Sequence, residues 1–221
     1  MFENITWDAA GSWIEAESFR RIEQEVDKNQ FNKKEWRVAR RLIHTTADFA
    51  ISKTLEFSND PIQAGINAIR SGVKIYSDSN MIAAGISVAK LKKFNSHYSR
   101  DSITCYVADP EVAKIAKKEN ITRALAGVRK AKSIIDGGIF ICGNAPLALA
   151  GVIKMVIEEE IKPKLIIGMP VGFVNVVESK ELLKTIDIPY ITLTGRRGGS
   201  PLAVATLHAI MESGKELNGE L

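Results

Sequence analysis

His44 stands in Arg40-Arg41-Leu42-Ile43-His44-Thr45-Thr46-Ala47-Asp48, beside two cations and four residues before a carboxylate. Imidazole titrates near neutral pH, so a histidine in such company suits general acid catalysis, a role worth about 10²–10⁴ in rate. Trp36, Ala39, Leu42 and Ile43 recur at helical spacing and stop at about His44. That sets the ring at a helix C-terminus, where a cation is favoured; Asp48 would add to the effect and the arginines would oppose it. The position also suits a histidine that only caps the helix, and the local sequence leaves both roles open.

Other polar residues lie where short apolar runs meet helices. Arg196 and Arg197 occupy Thr194-Gly195-Arg196-Arg197-Gly198-Gly199-Ser200. This turn lacks the Lys-Ser/Thr ending of a phosphate loop and does not match GxGxxG. Paired guanidinium groups match carboxylates through forked hydrogen bonds; solvated arginines on a flexible turn are the plainer reading. Asn144, in Gly143-Asn144-Ala145-Pro146, is placed to aim an amide at a ligand, although Pro at the start of a helix has its own structural reason. Arg123, in Ile121-Thr122-Arg123-Ala124, falls in the first turn of a helix, where a cation is slightly unfavourable unless a ligand uses it.

His97 and His208 lack a histidine or carboxylate at metal-ligand spacing, so surface or packing roles are expected and no protein metal site is read. Glu158-Glu159-Glu160 reads as a solvated run. No nucleophile elbow or Ser-His-Asp signature stands out.

The elements that must position these residues fall into two patterns. The first third reads as helical. Ser12–Val26 carries a capping box of Ser12 with Glu15, Asn32 with Glu35 caps a second helix, and Asn59-Asp60-Pro61 opens a third that stops at Gly72. Five apolar runs follow: Val73–Tyr76, Ile103–Val107, Ile139–Cys142, Leu165–Ile167 and Tyr190–Leu193. Helix-length segments separate them, among them Pro110–Ile135, Pro146–Ile161, Val176–Ile186 and Pro201–Ser213. Strands alternating with helices predict a three-layer α/β/α fold, with a mainly parallel sheet of about five strands behind an N-terminal helical segment. No linker or repeat divides residues 1–221, so one domain is expected. Ligands of such sheets bind at the carboxyl ends of the strands, where these Gly-rich turns lie.

The chain has 221 residues, 45% hydrophobic and 25% charged, which excludes disorder, fibre and disulfide scaffold. The net charge of +4 is spread over many segments, unlike the basic stripe of a nucleic-acid binder. Cys105 and Cys142 lie in separate apolar runs without CxxC spacing, so packing roles in a reducing compartment are expected. Met1–Asp8 has no basic region leading into an apolar stretch, and the apolar runs are too short to span a bilayer. A soluble cytoplasmic protein is expected.

Taken in order, several blocks resemble the precorrin-8 (cobalt-precorrin-8) methylmutase family of cobalamin biosynthesis. They are Ile14-Glu15-x-x-Ser18-Phe19, Arg41-x-Ile43-His44-x-Thr46-x-Asp48-Phe49, Asp78-x-x-Met81, Asp109-Pro110-Glu111-Val112-Ala113 and Thr122-Arg123. Gly143-Asn144-Ala145-Pro146, Gly168-x-Pro170-Val171-Gly172-Phe173-Val174, Glu178-Ser179-Lys180 and Gly195-Arg196-Arg197-Gly198-Gly199-Ser200 complete the set. The resemblance runs from about Ile14 to Ser213.

It implies a homodimeric isomerase without cofactors that moves a methyl group from C-11 to C-12 of a corrinoid ring carrying acetate and propionate arms. It places the family's catalytic histidine on His44, as the acid that protonates the macrocycle. It places substrate contacts on Ser18, Arg41 and Arg123, with Asn144, Arg196 and Arg197 contributing. The chain departs from the family at Leu147, where Thr is expected, at Thr45, where Ala is common, and over residues 1–13. A non-catalytic corrinoid or tetrapyrrole carrier, and a phosphate- or nucleotide-binding enzyme using Gly195–Ser200, are the competing readings. The missing Walker lysine and missing GxGxxG argue against the second.

Overall fold

The computed structural model describes residues 5–216; residues 1–4, where the reading of the N-terminus began, lie outside it. Helices α1 (Gly11–Glu25) and α2 (Lys33–Thr46) precede strand β1 (Leu55–Ser58). Then come α3 (Pro61–Arg70), β2 (Ile75–Ser77), α4 (Asn80–Gly85), α5 (Val88–Lys92) and β3 (Ile103–Thr104). Helices α6 (Pro110–Glu119), α7 (Arg123–Lys130) and α8 (Lys132–Ile135) lead to β4 (Ile139–Cys142). The described residues end with α9 (Pro146–Glu159), β5 (Leu165–Gly168), α10 (Val176–Leu183), β6 (Tyr190–Leu193) and α11 (Ser200–Glu216).

The sheet has six strands in the order β1-β6-β5-β4-β2-β3, all parallel except β1, which runs antiparallel to β6 at one edge. The expected five strands are all present. The sixth, Leu55–Ser58, lies in the stretch read as helical. It alternates apolar Leu55 and Phe57 with Glu56 and Ser58, the pattern of a half-buried edge, but it is too short to override its helical surroundings. The helix-length segment Pro110–Ile135 holds three helices, one of them opening at Arg123 as expected. Asn120 adopts the left-handed conformation that ends α6, and Thr122 caps α7 through its side chain.

Alternate residues of the buried strands face opposite cores, as the twofold pleat requires. Ile75, Ile139, Ile141, Leu165, Ile167 and Ile191 pack with α2, α3 and α11 on one face; Tyr76, Phe140, Cys142 and Ile166 pack with α7, α8 and α9 on the other. The predicted α/β/α layering is therefore present.

Capping fixes the ends of α2. Asn32 accepts from the N–H groups of Lys34 and Glu35, and the Glu35 carboxylate returns a bond to the Asn32 N–H, the expected capping box. At the other end Ala47 turns left-handed, φ 51°, which leaves His44 in the final turn. The capping box expected of Ser12 and Glu15 is absent: α1 begins earlier, at Gly11, without a side-chain cap, and Glu15 reaches Arg41 instead. Among the described residues no helix is long and apolar enough to cross a membrane.

Candidate active site at the carboxyl ends of the strands

Connections from β2 and β4 leave in opposite directions along the sheet, β2 toward β3 and β4 toward β5, so the crevice of this fold opens between them. One carboxylate bridges the gap. Asp78, at the end of β2, accepts from the N–H groups of Gly143 (3.1 Å), Asn144 (2.8 Å) and Ala145 (2.6 Å). It is 2% exposed. Burial raises its pKa, against the lowering pull of those three N–H groups. The turn it holds presents Asn144 at the surface while Gly143 stays buried. A Cβ on Gly143 would come within 2.8 Å of the Ser200 backbone, so only glycine lets the β4 turn meet the start of α11. Ser79 and Ser200 complete the joint through their hydroxyls, 3.0 Å apart.

The arginine turn after β6 sits beside this joint and is fastened from below. Lys180 of α10 donates to the carbonyls of Gly195 (2.9 Å) and Arg197 (2.6 Å), and the Gly199 N–H donates to Met169 after β5 (2.9 Å). Both arginine side chains are exposed. Arg196 lies 5.4 Å from the centre of the Phe173 ring, and Arg197 pairs with Asp48. That last contact connects the turn to the end of α2.

His44 is exposed there, its ring edge-on to Phe19 of α1 with centroids 5.3 Å apart. Among the described residues neither ring nitrogen has a hydrogen-bond partner on the protein, so both are available to a ligand. Asp48, expected to support His44, instead serves Arg197 and the Ala50 N–H. The Thr45 hydroxyl bonds the Arg41 carbonyl (2.8 Å) rather than the imidazole. Arg40 and Arg41 stack their guanidinium groups 4.1 and 4.8 Å from the Phe19 ring centre, so the aromatic ring anchors α1 under the cations and beside His44.

Arg41 is largely buried and holds Glu15 (2.6 Å) and Glu212 of α11 (2.7 Å); Lys90 reaches the same Glu212 (3.1 Å). Burial disfavours the Glu212 carboxylate, yet Arg41 and Lys90 overcome it and hold its pKa below the ordinary value. Ser18 is half-buried one turn beyond Ile14, whose carbonyl its hydroxyl bonds at 2.7 Å.

His208 belongs to the same region from beneath, as a packing residue. Its Nε2 accepts from the Ser87 N–H at 3.2 Å, which requires the neutral ring. Burial first, and then the charge of Lys90, push its pKa down to about 4 from 6.5. A depressed histidine contributes stability above its unfolded pKa and loses it as the pH falls. Urea titrations at pH 7 and pH 4 should therefore show about 3 kcal/mol less stability at the lower pH, a difference that His208→Gln removes. An unchanged pH dependence in His208→Gln would show that other groups carry the loss.

The structure thus gathers His44, Arg41 and the α1 surface near Ser18 at the end of α2, where Asp48 pairs with Arg197 of the arginine turn, with Asn144 on the adjoining turn. Arg123 stands apart. It opens α7, which packs on the opposite face of the sheet from α2, and it shares a shallow surface cleft with Lys114, Lys117 and Asn120. Asp78 and Lys180 are the residues whose importance was hidden in the sequence. Each stands in a family-like motif, but only the fold reveals that the charge is buried.

The chain matches precorrin-8X methylmutase over residues 13–213. It belongs to the precorrin-8X methylmutase family. Among its relatives, the cobalt-precorrin-8 methylmutase of Methanocaldococcus jannaschii is 46% identical over 85% of this chain and 83% of that protein. The enzyme of that name from Priestia megaterium is 43% identical over 89% and 85%. The crystal structure of precorrin-8x methyl mutase from Thermus thermophilus superimposes with a TM-score of 0.82 and 40% identity, covering 96% of this chain and 98% of that one. The methylmutase fold is therefore shared along nearly the whole of both chains.

Proposed function

We propose that this protein is an isomerase of cobalamin biosynthesis that moves a methyl group from C-11 to C-12 of the (cobalt-)precorrin-8 macrocycle, with His44 as the proton donor. The observation that carries the reading is the setting of His44: an exposed imidazole whose nitrogens bond none of the described residues, at the end of α2 where Asp48 holds Arg197 of the exposed arginine turn. The macrocycle presents acetate and propionate arms, and Arg196, Arg197 and Asn144 are placed to receive them, with Arg41 and Ser18 on the flank of α1 and α2. Arg123 keeps a proposed part as a carboxylate ligand, supported by its exposure in a cleft it shares with Lys114 and Lys117.

Protonation by His44 draws electron density from the ring and makes C-12 the better site for the methyl group. The C-11 bond breaks as the C-12 bond forms, and no atom leaves the molecule. The proton must then return to His44, so the residue ends each turnover as it began.

The reading includes a homodimer, supported by the exposed apolar residues Trp13 and Ile14 of α1 and Phe173 and Val174 after β5. It also includes a cytoplasmic setting, supported by the free thiols of Cys105 and Cys142. The deciding experiment incubates purified protein with metal-free and with cobalt-containing precorrin-8 and follows the absorption spectrum. Conversion of one or both is expected. Tight binding of pigment without any spectral change to product would replace the isomerase with a carrier.

A further inference from the structure

Lys180 is a lysine with none of its surface exposed. Burying an ammonium group is costly unless it is paired, yet among the described residues no carboxylate lies within ion-pair distance of it. Its partners are two backbone carbonyls, those of Gly195 and Arg197, at 2.9 and 2.6 Å. These two carbonyls bracket Arg196. Gly195 has φ 70°, a left-handed conformation, so the clamp closes on the bend that throws both arginines outward. From that bend one guanidinium goes to the Phe173 ring and the other to Asp48 at the end of α2.

A fold that needed only to fill this space has a cheaper solution in methionine, which matches lysine in length without the charge. The ammonium does two things that methionine cannot. It fixes the carbonyls of the turn, and it sets a third positive charge directly behind two arginines. We propose that Lys180 is a positioning residue for substrate, clamping the Gly195–Arg197 turn so that Arg196 and Arg197 meet carboxylate arms of the macrocycle. The inference rests on the reading that this turn binds those carboxylates. Burial lowers the pKa of Lys180 to about 8, which still leaves the side chain mainly charged at neutral pH.

The test compares Lys180→Met, Lys180→Arg and the double variant Arg196→Ala/Arg197→Ala in steady-state turnover of (cobalt-)precorrin-8, with folded protein quantified by circular dichroism. Lys180→Met should raise KM roughly 10- to 100-fold, the effect of losing one or two charge-assisted contacts, with kcat per folded molecule changed less than about threefold. Lys180→Arg, which keeps the charge and the donors, should raise KM by a smaller factor, and it carries the test if Lys180→Met does not fold. A purely structural role would lower the folded fraction and leave KM alone. Wild-type KM in both folded Lys180 variants, beside a raised KM in the double arginine variant, would overturn the role of Lys180 alone. Wild-type KM in the double arginine variant would overturn the carboxylate-binding reading, and this inference with it.

Discussion

His44→Ala is expected to slow conversion of the macrocycle by about 10²–10⁴-fold while leaving the protein folded. The magnitude is that of removing a positioned general acid. The intact fold follows from the surroundings of the ring. His44 is exposed, and among the described residues its one aromatic contact is edge-on to Phe19 at 5.3 Å and no hydrogen bond is lost with it. A surface substitution of this kind costs about 0.5 kcal/mol or less. The cations around it stay in place, because Arg41 is held by Glu15 and Glu212, and Arg197 by Asp48. Binding of substrate should therefore survive, seen as a KM within a few-fold of wild type. His44→Gln separates the roles further: an amide can hold a hydrogen bond but cannot deliver a proton, so its rate should match that of the alanine variant. Wild-type turnover in either variant would remove His44 from the chemistry, and a large rise in KM with kcat preserved would make it a binding residue instead.

How much of this was legible in the sequence depended on whether a signal was local. The β4 and β6 strands announced themselves within the exact bounds Ile139–Cys142 and Tyr190–Leu193, because strands buried on both faces are uninterrupted apolar runs. Asn32 and Glu35 announced the start of α2, since a capping box is a contact between residues three apart. The Ser12–Glu15 pair looked the same and was not a cap. Glu15 found a stronger partner in Arg41, twenty-six residues away, and nothing local reports that competition. The β1 strand was missed because half of what makes it a strand is its pairing with β6, more than a hundred residues later. The site divides in the same way. His44, Asn144 and the two arginines stood out by type and by position at element ends. That Asp48 would join Arg197, leaving His44 unsupported, depended on how the turn after β6 folds over the end of α2. Lys180 and Asp78 stood only as members of matched motifs, with nothing local to mark them as buried; their burial is a property of the assembled layers.

Asp78 is where that hidden burial has its largest consequence for stability. Asp78→Ala is expected to lower unfolding free energy by about 4 kcal/mol, measured by urea denaturation at pH 7. Three backbone N–H groups, of Gly143, Asn144 and Ala145, lose their acceptor together, at about 1–3 kcal/mol for each one left unsatisfied. Two effects reduce the sum. Water can reach the exposed side of Asn144, and removing a carboxylate relieves the burial penalty that raises its pKa. The direction of that shift also fixes a sign. With the folded pKa above its unfolded value, the contribution from Asp78 ionisation is largest in acid and declines as the pH rises through the folded pKa. The loss in Asp78→Ala at pH 7 therefore reports the N–H groups and not an ion pair. Asp78→Asn keeps the shape and one acceptor oxygen but turns an NH₂ toward N–H donors, so it should fall between wild type and alanine. The functional effect should be separable from the loss of stability. Asp78 spans the gap between the β2 and β4 turns, and Asn144 is carried on the segment it holds, so folded Asp78→Asn should show a raised KM with kcat little changed. A destabilisation below about 0.5 kcal/mol in Asp78→Ala would mean that the 143–145 turn finds other acceptors, and that the crevice does not depend on this carboxylate.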